Sequence, residues 1–209
     1  YTLDATESQT AVEIKPVDAT RQYQQGISAA AAGNLTQAMT SFDRAITLDP
    51  QYFQAYIERG NVKDGIGDLP GAIADYTTAI ALNRKSAPAY YNRGTVLSKS
   101  GRHQAAVEDY NRAVEINPQY AQAYLNRGNE LDDSGNFAGA IASYDRAIQV
   151  RPNYALAYLN RGIAYGRAGN RDRAIADFQL AAKLFKADGS LDRYNHAIKF
   201  IKNMQSAVY

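Results

Sequence analysis

Residues 121–154 read AQAYLNRGNELDDSGNFAGAIASYDRAIQVRPNY, and the chain at once begins again with ALAYLNRG at residues 155–162. Working outward from that stretch, Gly135 has counterparts at Gly33, Gly67, Gly101 and Gly169, each 34 residues from the next. Gly128 recurs in the same way as Gly26, Gly60, Gly94 and Gly162. Ala140 belongs with Ala38, Ala72, Ala106 and Ala174, and Ala147 with Ala45, Ala79, Ala113 and Ala181. Tyr144 stands in an aromatic column with Phe42, Tyr76, Tyr110 and Phe178. Five columns held in register over five copies describe one unit repeated, and that decides the fold before any single helix is assigned.

Each column has a physical cause. Small residues let two neighbouring helices approach closely, and the rings fill the space around that contact. Gly33, Gly67, Gly135 and Gly169 are each followed by Asn or Asp, so a left-handed residue closing one helix precedes an N-cap that opens the next. Ile73, Tyr76 and Ile80, like Ile141, Tyr144 and Ile148, fall three and four apart and form one buried stripe on the second helix. Pro50, Pro118 and Pro152 then stop that helix, having no N–H to continue it. Arg84 and Lys186 stand where the second and fifth copies lack this proline.

Counted from Ala19, the glycines occupy repeat positions 8 and 15, the alanines 20 and 27, the aromatic 24, and the prolines 32, with Tyr56, Tyr90, Tyr124 and Tyr158 at position 4. This pattern resembles the tetratricopeptide repeat family over residues 19–188. The Tyr91-Asn92-Arg93-Gly94 phrase resembles bacterial, often cyanobacterial, members. The resemblance implies an all-α fold, a right-handed α-solenoid of five 34-residue helix-turn-helix repeats (19–52, 53–86, 87–120, 121–154 and 155–188). Residues 189–209 are expected to form a C-terminal capping helix and tail, with Leu191, Tyr194, Ile198 and Ile201 as its apolar stripe. Residues 1–18 are expected to be an extended segment or tether, lying free or along a groove.

In this family the first helices of the repeats line a concave face and expose positions 2, 5, 6, 9, 12 and 13. Here that face carries Asn92, Asn126 and Asn160 at position 6 and Asn61 and Asn129 at position 9. An asparagine amide both donates and accepts, so it can pair with a peptide backbone whatever the side chains. Glu58, Asp64, Asp132 and Asp133 make the face acidic, while Tyr23, Tyr91, Leu125 and Leu159 at position 5 are expected to give apolar footholds. A partly basic, extended segment is the natural complement. Ile57, Gln122 and Asn126 occupy places where a chaperone-tail carboxylate clamp requires cations, which argues against that specialised use. Arg59, Arg93, Arg127 and Arg161 at position 7 face Asp75, Asp109, Ser143 and Asp177 at position 23, which reads as a series of structural ion pairs. Asp145 is the expected substitute partner where Ser143 breaks the series.

Bulk composition narrows the function classes. A net charge of +2 argues against general nucleic-acid binding. Cysteine is absent, which removes thiolate nucleophiles and disulfides. His103 and His196 have no metal-ligand spacing, and no phosphate loop is present. Neither an enzyme, a cofactor nor a small-molecule substrate is expected. The sequence opens at Tyr1 without methionine, and membrane association is expected only through a segment ahead of it. Compartment is not legible. The expected function is a protein-interaction scaffold, an adaptor or assembly factor holding a partner segment in its groove. The competing expectation is a self-associating array whose groove is idle or filled by its own N-terminal segment.

Overall fold

The structure, a computed structural model, describes the backbone of residues 5–206 and the side chains of residues 18–206. Among the described residues it is all-α, with eleven helices and no strand. The chain divides into two compact units, Tyr1–Gly101 and Arg102–Tyr209, so the boundary falls inside the stretch read as the third repeat.

The first unit contains α1 (Ala5–Ala31), α2 (Leu35–Leu48), α3 (Phe53–Gly65), α4 (Leu69–Leu82) and α5 (Ala87–Lys99). Helices α1 and α2 pack as one hairpin and α3 and α4 as a second, with α5 against α4. Each hairpin turns through a glycine with positive φ, +77° at Gly33 and +86° at Gly67. In that conformation the N–H of Asp68 reaches back to Lys63 O at 2.9 Å and that of Gly67 to Asp64 O at 3.1 Å, which satisfies the last carbonyls of α3. The next helix is then capped from its first side chain. Asn34 Oδ1 accepts from the Gln37 N–H at 3.2 Å, and Asp68 Oδ1 from that of Gly71 at 3.0 Å. The unit's core is Phe42 with Ala29, Ala38 and Val62, continuing into Tyr76 with Ile57, Ala72, Ala79, Ile80 and Val96.

The expectation of an extended segment over 1–18 is corrected from Ala5 onward, where the backbone is the beginning of α1. Residues 5–25 contain no glycine, and Ala, Glu, Gln and Lys among them favour continuation of the helix, although Pro16 removes one N–H from its hydrogen-bond ladder. Residues 1–4 lie outside the described residues.

The second unit contains α6 (His103–Ile116), α7 (Ala121–Asp133), α8 (Phe137–Val150), α9 (Ala155–Arg167), α10 (Arg171–Ala187) and α11 (Leu191–Ser206). Helices α7 and α8 form one hairpin, α9 and α10 another, and α11 packs on α10. The expected capping stripe is mostly seen. Tyr194, Ile198 and Ile201 pack against a core of Phe178, Phe185, Ala182 and Ala197, and Phe200 stacks on Phe178 with centroids 5.0 Å apart. Leu191 is the departure, 63% exposed at the first position of the helix. Residues 207–209 of the expected tail lie outside the described residues. No helix among the described residues is long and apolar enough to cross a membrane.

Candidate peptide-binding face

Within each unit two helices that lie two apart in chain order bring the same polar group together. In the second unit Asn160 on α9 donates from Nδ2 to Asn129 Oδ1 on α7 at 2.8 Å. The Tyr144 hydroxyl on α8 donates to the same oxygen at 3.0 Å. In the first unit Asn92 on α5 donates to Asn61 Oδ1 on α3 at 2.9 Å, and Tyr76 on α4 donates to it at 2.7 Å. Burial pushes both tyrosine pKa values up, with nearby carboxylates adding to the effect, so the hydroxyls stay protonated as donors. Asn61 also donates to Glu58 Oε2 at 2.9 Å. Asn61 and Asn129 are therefore buttresses, their carbonyl oxygens already holding two donors each. Asn92 and Asn160 are held by one N–H, and their Oδ1 atoms have no partner among the described residues. Asn126 is half-buried and already engaged.

One helical turn further on, each unit repeats a second motif. Lys99 Nζ on α5 lies 2.7 Å from both carboxylate oxygens of Asp64 on α3. Arg167 on α9 meets Asp132 Oδ2 on α7 and stands 3.9 Å from Asp133. This corrects the expectation of an acidic face, because the base at position 13 of one repeat neutralises the aspartate at position 12 of the repeat before it. Glu58, bonded to an amide, and the exposed Asp133 are what remain of the acidity. The pairing at Asp132 is incomplete. Its Oδ1 is buried without a partner, and burial pushes its carboxyl pKa up against the pull of Arg167.

The apolar footholds also need correction. Leu125 and Leu159 are 6% and 7% exposed, with Leu159 packed into the core of the second unit. Both side chains are buried and so offer no foothold. Tyr91 is half-buried and engaged. In the first unit, however, Tyr23 does line an open cavity of about 380 Å³ together with Phe53, Ile57, Pro88, Asn83 and Glu58. The sequence reading flagged Tyr23 and Glu58 but missed Phe53 and Pro88, which lie at positions 1 and 2 of adjacent repeats.

The position-7 arginines lie toward the second helices. Arg59 forks onto Asp75, Nε to Oδ2 at 2.9 Å and Nη2 to Oδ1 at 2.6 Å, and reaches Asp43 at 2.6 Å. Arg161 grips Asp177 in the same fork at 2.7 Å and takes Asp145 as its second partner. Asp145 therefore serves Arg161 and does not substitute at Arg127, which bonds instead to Ser143 Oγ at 3.1 Å and Asn111 Oδ1 at 3.0 Å.

Helical hairpins stacked through a glycine, alanine and ring contact, with polar first helices, define a protein-interaction repeat. Profiles described as TPR repeat match residues 66–101 and 128–169, and profiles described as tetratricopeptide repeat match 22–52, 87–120 and 155–188. The chain belongs to the tetratricopeptide repeat family, and as such is a protein-interaction scaffold. No match is found among curated proteins. Solved structures do match. A crystal structure of MamA protein is 27% identical with a TM-score of 0.74, over 83% of this chain and 94% of that one. The crystal structure of YrrB, described as a TPR protein with an unusual peptide-binding site, is 25% identical with a TM-score of 0.73, over 91% and 97%. A tetratricopeptide repeat protein from Parabacteroides merdae, at 20% identity and a TM-score of 0.70 over 90% and 80%, shares the fold.

Proposed function

We propose that this scaffold holds an extended segment of a partner polypeptide on the first helices of its repeats, as an adaptor or assembly factor without catalytic activity of its own. The observation that carries the reading is the state of Asn92 and Asn160. Each amide is fixed in place by one bond to a buttressed asparagine, yet keeps an acceptor and a second N–H with which to meet a peptide backbone. The orphaned Oδ1 of Asp132, one turn along α7 from Asn129, is a further acceptor that a bound N–H would satisfy. In the first unit the cavity at Tyr23 and Ile57 suits one apolar side chain of the segment, and Glu58 at its edge suits a basic neighbour. The peptide-binding site in the description of YrrB lends the reading support from a similar fold.

The test is capture of the native partner by the chain and by an Asn92→Ala, Asn160→Ala variant. Loss of two backbone hydrogen bonds at roughly 0.5–1.5 kcal/mol each should weaken capture about tenfold, with helicity unchanged. Undiminished capture by the variant would remove the asparagines from the site. Light scattering addresses the competing self-associating array, which requires assembly that grows with concentration.

A further inference from the structure

Arg127 breaks the rule that Arg59 and Arg161 keep. Each of those guanidiniums lies over the ring of the tyrosine three residues before it, at 5.5 and 5.4 Å, and each is met by two carboxylates, one from its own hairpin and one from the helix before. Arg127 lies over Tyr124 in the same way, at 5.2 Å, but the two carboxylate places are filled by Ser143 and Asn111. Ser143 is fully buried and gives its own proton to Gly139 O at 2.8 Å, so it can only accept from Arg127. A second guanidinium, Arg146, stands over the same ring at 5.7 Å. No carboxylate among the described residues meets Arg127, and its Nη2 has no partner among them. Burial pulls its pKa down, the Tyr124 hydroxyl partly offsets this, and the like charge of Arg146 adds to the fall. Two cations therefore share one ring with no counter-charge, at a place where Arg59 and Arg161 each meet two anions. A half-buried charge left in that state is costly, and an incoming anion relieves the cost.

We infer that Arg127 and Arg146 form a carboxylate-binding site on the second unit, taking an aspartate or glutamate side chain of a partner polypeptide. Carboxylate is favoured because Asp75 and Asp177 occupy the matching place beside Arg59 and Arg161 in a planar, forked geometry. The site faces α6 and α8, whereas Asn129 on the same helix reaches α9, so it does not rest on the asparagine reading.

The test is arginine Nε–Hε resonances of the whole chain, followed at fixed ionic strength while a capped Gly-Asp-Gly peptide is added. The Arg127 signal should move saturably, those of Arg59 and Arg161 should stay, and the capped Gly-Asn-Gly peptide should have no effect. Ser143→Asp supplies the missing carboxylate internally and should abolish the response. Arg146→Gln, an exposed change that leaves the core intact, should weaken it several-fold. An Arg127 signal that does not move, or moves equally with the asparagine peptide, overturns the site. A response to inorganic phosphate but not to the aspartyl peptide overturns its assignment to carboxylate.

Discussion

Tyr144 shows how closely packing and site are joined at the scale of a residue. Its ring is 1% exposed and lies so near Gly128 that a Cβ there would come within 2.5 Å of Cε1, while its hydroxyl holds Asn129. Gly128→Ala is expected to lower stability by about 1–3 kcal/mol, read as a lower melting temperature, because the ring cannot retreat without disturbing the amide pair. The link is visible in the sequence. Where position 24 is tyrosine, position 9 is polar, asparagine opposite Tyr76 and Tyr144 and Thr95 opposite Tyr110; where it is phenylalanine, as at Phe42 and Phe178, position 9 is isoleucine. The partner of Asp132 is less visible, since it lies 35 residues away on another helix. Burial raises the pKa of Asp132, so its ionised form costs the fold above that pKa and costs nothing once the group is protonated in both states. Asp132→Asn is accordingly expected to melt no lower than the parent at pH 7. Any advantage should close as the pH falls below the ordinary aspartate value of about 4, and a clear loss of stability at pH 7 would mean that the Arg167 pair dominates.

At the scale of an element, proline turns out to carry less of the helix stop than the sequence suggests. Helix α4 has Arg84 where α2 has Pro50 and α6 has Pro118, yet all three run for 14 residues. The common feature is the residue before. Asp49, Asn83 and Asn117 each accept, through the side chain, the N–H two residues on, at 2.9, 3.0 and 3.0 Å. Helix α8, with Arg151 at that place, ends at 14 residues before Pro152, whereas α10, with Phe185 there and Lys186 after it, has neither device and runs on to 17 residues. Asn83→Ala should therefore cost about 1 kcal/mol in thermal unfolding, the scale of losing a side-chain cap, with nothing comparable at Arg84→Ala. Element boundaries were legible because glycine, Asx and alanine act locally. The burial of Leu125 and Leu159 was not, because it depends on tertiary packing that sequence spacing does not show. The continuation of α1 upstream of the repeat was likewise missed, since no repeat column covers it.

Over the whole molecule, the repeat of 34 residues carries a second spacing of 68. Asn61 and Asn129, Asn92 and Asn160, Tyr76 and Tyr144, Asp64 and Asp132, and Lys99 and Arg167 are all 68 residues apart, and each unit holds one complete set. Family and fold were open to a sequence reader because the columns are strict. The division of the polar face into self-bonded buttresses and outward-offering amides was not, because it lies in which asparagine of a pair spends its oxygen. That division is the central claim, and the side-chain amide resonances of Asn92 and Asn160 report on it most directly. On addition of the captured partner segment to labelled protein, both should shift saturably while the exposed Asn203 on α11 stays unchanged. Binding that leaves both amides unmoved would contradict the account.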